Sequence, residues 1–240
     1  MYYNETVTFA FTLPDAQTVL YCLLAGILPA LLWLAFWLHD DPHPEPRKRL
    51  FLAFLGGMVA VPLVVPFENL TRSALGTGIA TVIIWAVIEE LFKFGAALFT
   101  SLRSKDDNSP LEPVIYLLTT ALGFAAVENA LFIFTPLSVG HLASGIDTGN
   151  LRFIGATLIH LVCSASIGVA MGLAFYKSKR SKWLHLAVGL GVAVALHSVF
   201  NFFIINSTPT SALLTLYGVW LAVILLGLFF EKLKRVHEEA

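Results

Sequence analysis

The sequence predicts an all-α protein, a polytopic transmembrane bundle of seven helices, and three observations carry that prediction. Hydrophobic residues make up 57% of the 240-residue chain and charged residues only 13%, where soluble domains run near 25% charged. The apolar residues gather into runs close to the twenty residues that a helix rising about 1.5 Å per residue needs to cross a bilayer. When those runs are threaded in order, lysine and arginine fall almost entirely on one side.

The spans are read at roughly 18–38, 48–66, 75–100, 113–135, 152–176, 183–206 and 211–231. The first two carry no internal charge and read as packing elements. The third contains VIIWAVIEELFKFGAALF (82–99), apolar except for Glu89, Glu90 and Lys93 at its middle; it is overlong, so it is expected to begin late or to tilt. The fourth holds Glu128 and Asn129. The fifth holds His160, followed by Ser164, Gly168 and Gly172 at the small-xxx-small spacing that lets membrane helices approach closely. The sixth carries Gly189, Ala193, His197 and Asn201 as one stripe. The connectors HDDPHPEPRKR (39–49), SLRSKDDNSP (101–110) and YKSKRSK (176–182) are polar and too short for a soluble domain. Residues 1–240 therefore read as one membrane-embedded domain.

Orientation follows from the basic residues. Arg47, Lys48, Arg49, Arg103, Lys105, Lys177, Lys179, Arg180, Lys182, Lys232, Lys234 and Arg235 fall on one side, against Arg72 and Arg152 on the other. Twelve against two places the C-terminus in the cytoplasm and the N-terminus outside, in the cell membrane. The first 17 residues lack Lys and Arg, so no secretory signal is read and insertion rests on the spans themselves. A net charge of −1 offers no basic stripe to a nucleic acid. Cys22 and Cys163 lie inside apolar runs and read as small buried hydrophobes, with no disulfide framework and no CxxC metal site.

A charge at the centre of a membrane helix costs roughly 2.5–3.5 kcal/mol even on lenient scales, so the ionisable residues left inside the spans need a reason. At 1.5 Å per residue from the outer span ends, Glu128 lies about 11 Å deep, His160 about 12 Å, His197 about 13 Å and Glu89 roughly 18–20 Å. Taken singly, each also reads as an interhelical packing group. Taken together, acids and imidazoles on four consecutive spans at nearly one depth in the outer half read as one cluster. Glu89 and Lys93 stand at i,i+4 with the acid first, the favourable order for an ion pair, while Glu90 points about 100° away around the helix.

Carboxylates with imidazoles in a protected pocket are the parts needed to activate water. They can do so around a metal held by His, His and a carboxylate with a further glutamate as base. They can also do so without one, with a glutamate and histidine deprotonating water and His/Asn donors stabilising the oxyanion. The same groups could line the path of a proton- or metal-coupled transporter, although the residues below the cluster on the cytoplasmic side are mostly apolar. A non-catalytic membrane scaffold would leave the acids unexplained.

The ordered set E89-E90-x-x-K93, F124-x-x-x-E128-N129, R152-x7-H160-x7-G168 and H197-x-x-x-N201 resembles the PrsW family of intramembrane proteases, within the wider group that includes the CAAX prenyl endopeptidases. Leu91 and Phe92 depart from the Pro-Ala of the best-known member, and Glu128 stands where the CAAX endopeptidases carry histidine, which favours the PrsW branch. The resemblance implies an intramembrane metalloprotease that cuts a membrane-anchored protein near its extracytoplasmic juxtamembrane region, in regulated proteolysis, with a catalytic core at about 75–206. It is expected to use Glu89 as general base held ionised by Lys93, and Glu128, His160 and His197 as ligands of zinc or another divalent metal. Glu90 competes with Glu128 for that role, and Asn201 is the oxyanion donor or a supporting residue. The expected partners are the membrane-anchored protein substrate and the lipid bilayer.

Overall fold

The computed structural model of the chain describes residues 16–39, 41–42, 44–103, 109–205 and 208–236. Among them there is no strand, and eight α-helices follow one another: α1 (Ala16–His39), α2 (Arg47–Leu75), α3 (Ile79–Ala97), α4 (Glu112–Ser138), α5 (Leu142–Leu151), α6 (Thr157–Leu173), α7 (Lys179–Ile205) and α8 (Pro209–Leu233). A π-turn, Leu98–Leu102, extends α3, and a second, Arg152–Ala156, joins α5 to α6.

Among the described residues six helical segments are long and apolar enough to cross a membrane: α1, α2, α4, the continuous α5–α6 helix Leu142–Leu173, α7 and α8. The third expected span corresponds to α3, whose 19 residues carry Glu89, Glu90 and Lys93 and which is not one of those six. The described chain is a multi-pass membrane protein.

Two boundaries differ from the sequence expectation, and a third, the late start of α3, meets it. α2 continues to Leu75, beyond the expected end at 66, although Pro62 and Pro66 lie inside it. Proline frees a backbone carbonyl, but packed neighbours in a membrane bundle can satisfy it. α3 begins at Ile79 rather than 75, because Gly76, at φ 71°, caps α2 and turns the chain, its N–H donating to Arg72 O at 2.9 Å. The stretch between the fourth and fifth spans, expected as a connector, is α5.

α4 is the central helix, almost wholly buried from Glu112 to Ala126 and packed by α1, α2, α3, α5 and α6. Close approach there depends on glycine. A side chain at Gly57 on α2 would collide with the Thr120 carbonyl of α4, and one at Gly168 on α6 would stand 2.5 Å from Val114 Cα. On α7 the stripe Gly189, Ala193, His197 is buried, with Gly189 seated against Ile167 and Ala170 of α6. The buried residues of α8, Val219, Val223, Leu226, Phe230 and Leu233, all lie from Val219 onward.

The basic starts of α2 and α7 and the basic end of α8 share one end of the bundle. There Arg49, Pro110, Tyr176 and Lys234 line one depression. At this end Tyr116 Oη donates to Glu45 Oε2 at 2.5 Å, and burial pushes the Glu45 carboxyl above its usual range. The polar cluster lies toward the opposite end.

Candidate active site

α3 supplies Glu89, Glu90 and Lys93, all buried, and their helical spacing splits them between two surroundings. Glu90 turns into the bundle, where its carboxylate accepts from Lys93 Nζ at 2.5 Å, His197 Nδ1 at 2.8 Å and Ser164 Oγ at 3.2 Å. Glu89 turns toward a cavity of about 420 Å³. Its Oε2 is buried and has no hydrogen-bond partner among the described residues. The sequence pairs Lys93 with Glu89; in the structure its close partner is Glu90, and Glu89 stands at 4.0 Å.

The two imidazoles are held in matching ways. His197 presents Nδ1 to Glu90. His160 presents Nε2 to Glu128 Oε2 at 2.9 Å. Both carboxylates are paired with a cation, Glu90 with Lys93 and Glu128 with Arg152, so they accept, and the ring protons sit on the nitrogens that face them. The other nitrogens, His160 Nδ1 and His197 Nε2, are left as lone-pair donors, each 3.8 Å from Glu89 Oε2. Carboxylates that fix imidazole tautomers in this manner are the usual support of histidine metal ligands. The rings themselves meet edge to face, with centroids 5.0 Å apart. Lys93 Nζ also lies 3.0 Å from His160 Nδ1 and 4.9 Å over the Phe124 ring.

A second layer fixes Glu128. Arg152 binds its carboxylate, donates from Nε to Asn129 Oδ1 at 2.6 Å, and stacks 3.9 Å over the Phe132 ring. Asn129 Nδ2 in turn donates to Thr157 Oγ1 at 2.8 Å. The π-turn between α5 and α6 explains why Arg152 and His160 reach the same carboxylate oxygen. Eight residues of regular helix would leave them roughly 80° apart. One residue absorbed by the π-bulge brings them within about 20° of one face.

The structure thus brings Glu89, Glu90, Lys93, Glu128, His160 and His197 into one network, with Asn201 half-buried on the cavity wall one turn from His197. Ligand atoms of Glu89, His160 and His197 lie within 4.8 Å of one another. Glu128 is outside that trio. These atoms suit a divalent cation: one unpartnered buried carboxylate oxygen faces two imidazole lone pairs, a hard-to-borderline donor set typical of zinc. Glu90, Cys163 and His197 are equally close, but the Glu90 carboxylate already accepts from three donors and its His197 partner atom is the Nδ1 that faces it.

Four contributors escaped the sequence reading. Glu68, on the unexpected last turns of α2, lines the cavity beside Glu89, and Trp85 Nε1 holds its carbonyl at 3.0 Å. Arg152 stands in the R152-x7-H160 motif but is given no role there, while Ser164 reads as a packing residue and Thr157 as nothing in particular. Only the π-turn, invisible in the sequence, gives Arg152 its place.

The PrsW family intramembrane metalloprotease model matches residues 45–229. The chain is 26% identical over 222 residues to Protease PrsW of Oceanobacillus iheyensis, covering 90% of this chain and 96% of that protein. Protease PrsW of Geobacillus kaustophilus is 23% identical over 221 residues, 89% of this chain and 90% of that one. Protease PrsW of Halalkalibacterium halodurans is 27% identical over 187 residues, 75% and 81% respectively. No solved structure matches. A multi-pass protein of the cell membrane, the chain belongs to the PrsW family of intramembrane metalloproteases.

Proposed function

We propose that this chain is a metal-dependent endopeptidase that cuts a membrane-anchored protein near its extracytoplasmic juxtamembrane region. The observation that carries the reading is the unpartnered Glu89 Oε2, set 3.8 Å from a lone pair on each of two carboxylate-anchored imidazoles. In this reading α3 is the seventh span, the basic end is cytoplasmic and the N-terminus lies outside. The cavity is walled by Val61–Glu68 of α2, Trp85 and Glu89 of α3, the second half of α4, the π-turn and start of α6, the end of α7 and the start of α8, which in this reading sets it in the extracytoplasmic half.

Glu89, His160 and His197 would hold the divalent ion, in place of the Glu128-centred set that the sequence suggests. Zinc in such a site polarises a carbonyl and lowers the pKa of water. The chain's own residues do the rest. Glu90 and Glu128 hold the imidazole protons away from the reacting side, while Lys93 and Arg152 keep those two carboxylates charged. Asn201 faces the cavity as a donor toward the oxygen that gains charge as the peptide carbonyl is attacked. The apolar walls, Val61, Val64, Phe124 and Phe200 among them, exclude bulk water and strengthen each of these interactions.

One contact favours a second reading. Lys93 Nζ already occupies His160 Nδ1 at 3.0 Å. Without a metal, Glu89 takes the proton of the attacking water and Asn201 donates to the oxyanion, which His197 could do only as the imidazolium, with Nε2 protonated as well as Nδ1. Glu89→Gln and His197→Ala should each abolish cleavage of a membrane-anchored reporter in proteoliposomes while the protein stays monodisperse. Retained activity in either variant would remove the assignment.

A further inference from the structure

The first half of α8 stands apart from the rest of the bundle. Among its described side chains none is fully buried before Val219, although the helix is capped at its start by Thr208 and Ser211. It touches the bundle there through Leu216, which lies over Gly155 of the π-turn; a Cβ on that glycine would come 2.7 Å from Leu216 Cδ2. On one side of this half-helix, Ala212 and Leu216 form the far wall of the active-site cavity. On the other side runs a lipid-facing groove of about 440 Å³ between α7 and α8, lined by Leu196, Val199, Leu214, Thr215 and Gly218. Groove and cavity share two wall residues, Ile159 and Phe200, both buried. A second apolar groove, between α2 and α3 around Gly56 and Gly95, shares no residue with the cavity.

We infer that the α7–α8 groove receives the apolar membrane segment of the protein substrate and delivers its adjoining peptide past Phe200 to Glu89. The inference rests on the proteolytic reading above and adds the face of the bundle on which the substrate docks. Two independent observations support it. The groove abuts the site, with Ile159 and Phe200 as their common wall, which the α2–α3 groove does not. Its lining is apolar apart from the small hydroxyls of Ser211 and Thr215, which suits an uncharged segment that never leaves the lipid. Helix association in lipid is driven by close van der Waals packing against small residues, and Ser211, Thr215, Gly218 and Ala222 present such a surface at three- and four-residue spacing.

Two glycines make the test clean. A Cβ at Gly218 or at Gly95 would meet nothing within 4 Å, so a side chain can start out from either glycine into its groove without a backbone clash. Gly218→Trp and Gly95→Trp are compared in proteoliposomes on a single-span reporter peptide and on a short soluble peptide with the same scissile sequence. Gly218→Trp should slow the single-span reporter at least tenfold more than the soluble peptide, and Gly95→Trp should leave both rates as they are. Equal loss on the two peptides, no loss, or loss confined to Gly95→Trp overturns the inference. Docking is also read without turnover, by placing p-benzoylphenylalanine at 218 or 95 in a Glu89→Gln background and photolysing with the labelled single-span peptide. Adducts with the peptide at 218 and not at 95 support the groove. Adducts only with lipid, adducts only with a second copy of the chain, or none with the peptide at 218 refute it. If the parent protein cuts neither peptide while the 218 adduct forms, the proteolytic reading fails and the docking face stands.

Discussion

Glu89 and Glu90 are neighbours in sequence and equally deep, yet removing them should have opposite consequences. Glu90 is fully buried and accepts from Lys93 at 2.5 Å, His197 at 2.8 Å and Ser164 at 3.2 Å. In Glu90→Ala the Lys93 ammonium, itself fully buried, keeps His160 Nδ1 at 3.0 Å but no carboxylate nearer than Glu89 at 4.0 Å. Breaking a buried pair by deleting one partner costs about 3–5 kcal/mol. For a chain of this size that corresponds to a fall in Tm on the order of 10 °C. Removing both charges in Glu90→Ala/Lys93→Met should recover most of the loss, because no buried charge is then left alone. Glu89→Gln, by contrast, removes a carboxylate whose Oε2 has no hydrogen-bond partner; it should leave stability unchanged or raise it while eliminating activity, as is common where a site is strained for function. Thermal unfolding of the purified variants in detergent, read by tryptophan fluorescence, measures all three. A Glu90→Ala protein as stable as the parent, or a Glu89→Gln protein as destabilised as Glu90→Ala, would refute the division of labour drawn here.

Other outcomes follow from the same contacts. Glu128→Gln weakens the hold on His160 Nε2 and should lower cleavage about 10–100-fold, the usual effect of losing a carboxylate behind a metal-binding histidine, measured as kcat/KM on the reporter. Gly168→Ala places a Cβ 2.5 Å from Val114 Cα and should destabilise the bundle by about 1–3 kcal/mol, visible as a lowered Tm with His160 and Glu89 intact. At the opposite end, burial raises the Glu45 carboxyl above its ordinary value, so the folded state binds its proton more tightly than the unfolded state. The stability this gives is complete below the ordinary carboxylate range and is lost as pH rises through the raised value. Tm of Glu45→Gln minus that of the parent should therefore grow as pH rises from about 4 toward neutrality; a difference flat in pH would contradict it.

The helical class and the clustering of acids with imidazoles were legible because they depend on periodicity. The stripe Gly189, Ala193, His197 needs only one turn per step to be read, and in the structure it packs α7 against α6 and delivers His197 to Glu90. The i,i+3 alternative for Lys93 was equally available in the sequence. What decides it is the company of Glu90, namely Ser164 and His197 from two other helices, and that is a tertiary fact. Glu68 was hidden because Pro62 and Pro66 suggest a helix end where neighbours in fact sustain the helix. The role of Arg152, a residue the R152-x7-H160 motif already singles out, was hidden because its contact with Glu128 depends on a π-bulge, for which spacing counted at 3.6 residues per turn gives the wrong face. The separation of Glu128 from Glu89 was hidden for a similar reason. Depth along a helix says nothing of which edge of the His160 ring each acid approaches.

Elemental analysis of the purified chain, parent against His160→Ala and His197→Ala, bears most directly on the convergence of Glu89 with the two imidazoles. About one divalent ion per chain in the parent, lost in both variants and retained in Cys163→Ser, is the expected result. A parent enzyme that cleaves its reporter at full rate with no bound metal after exhaustive chelation would contradict it.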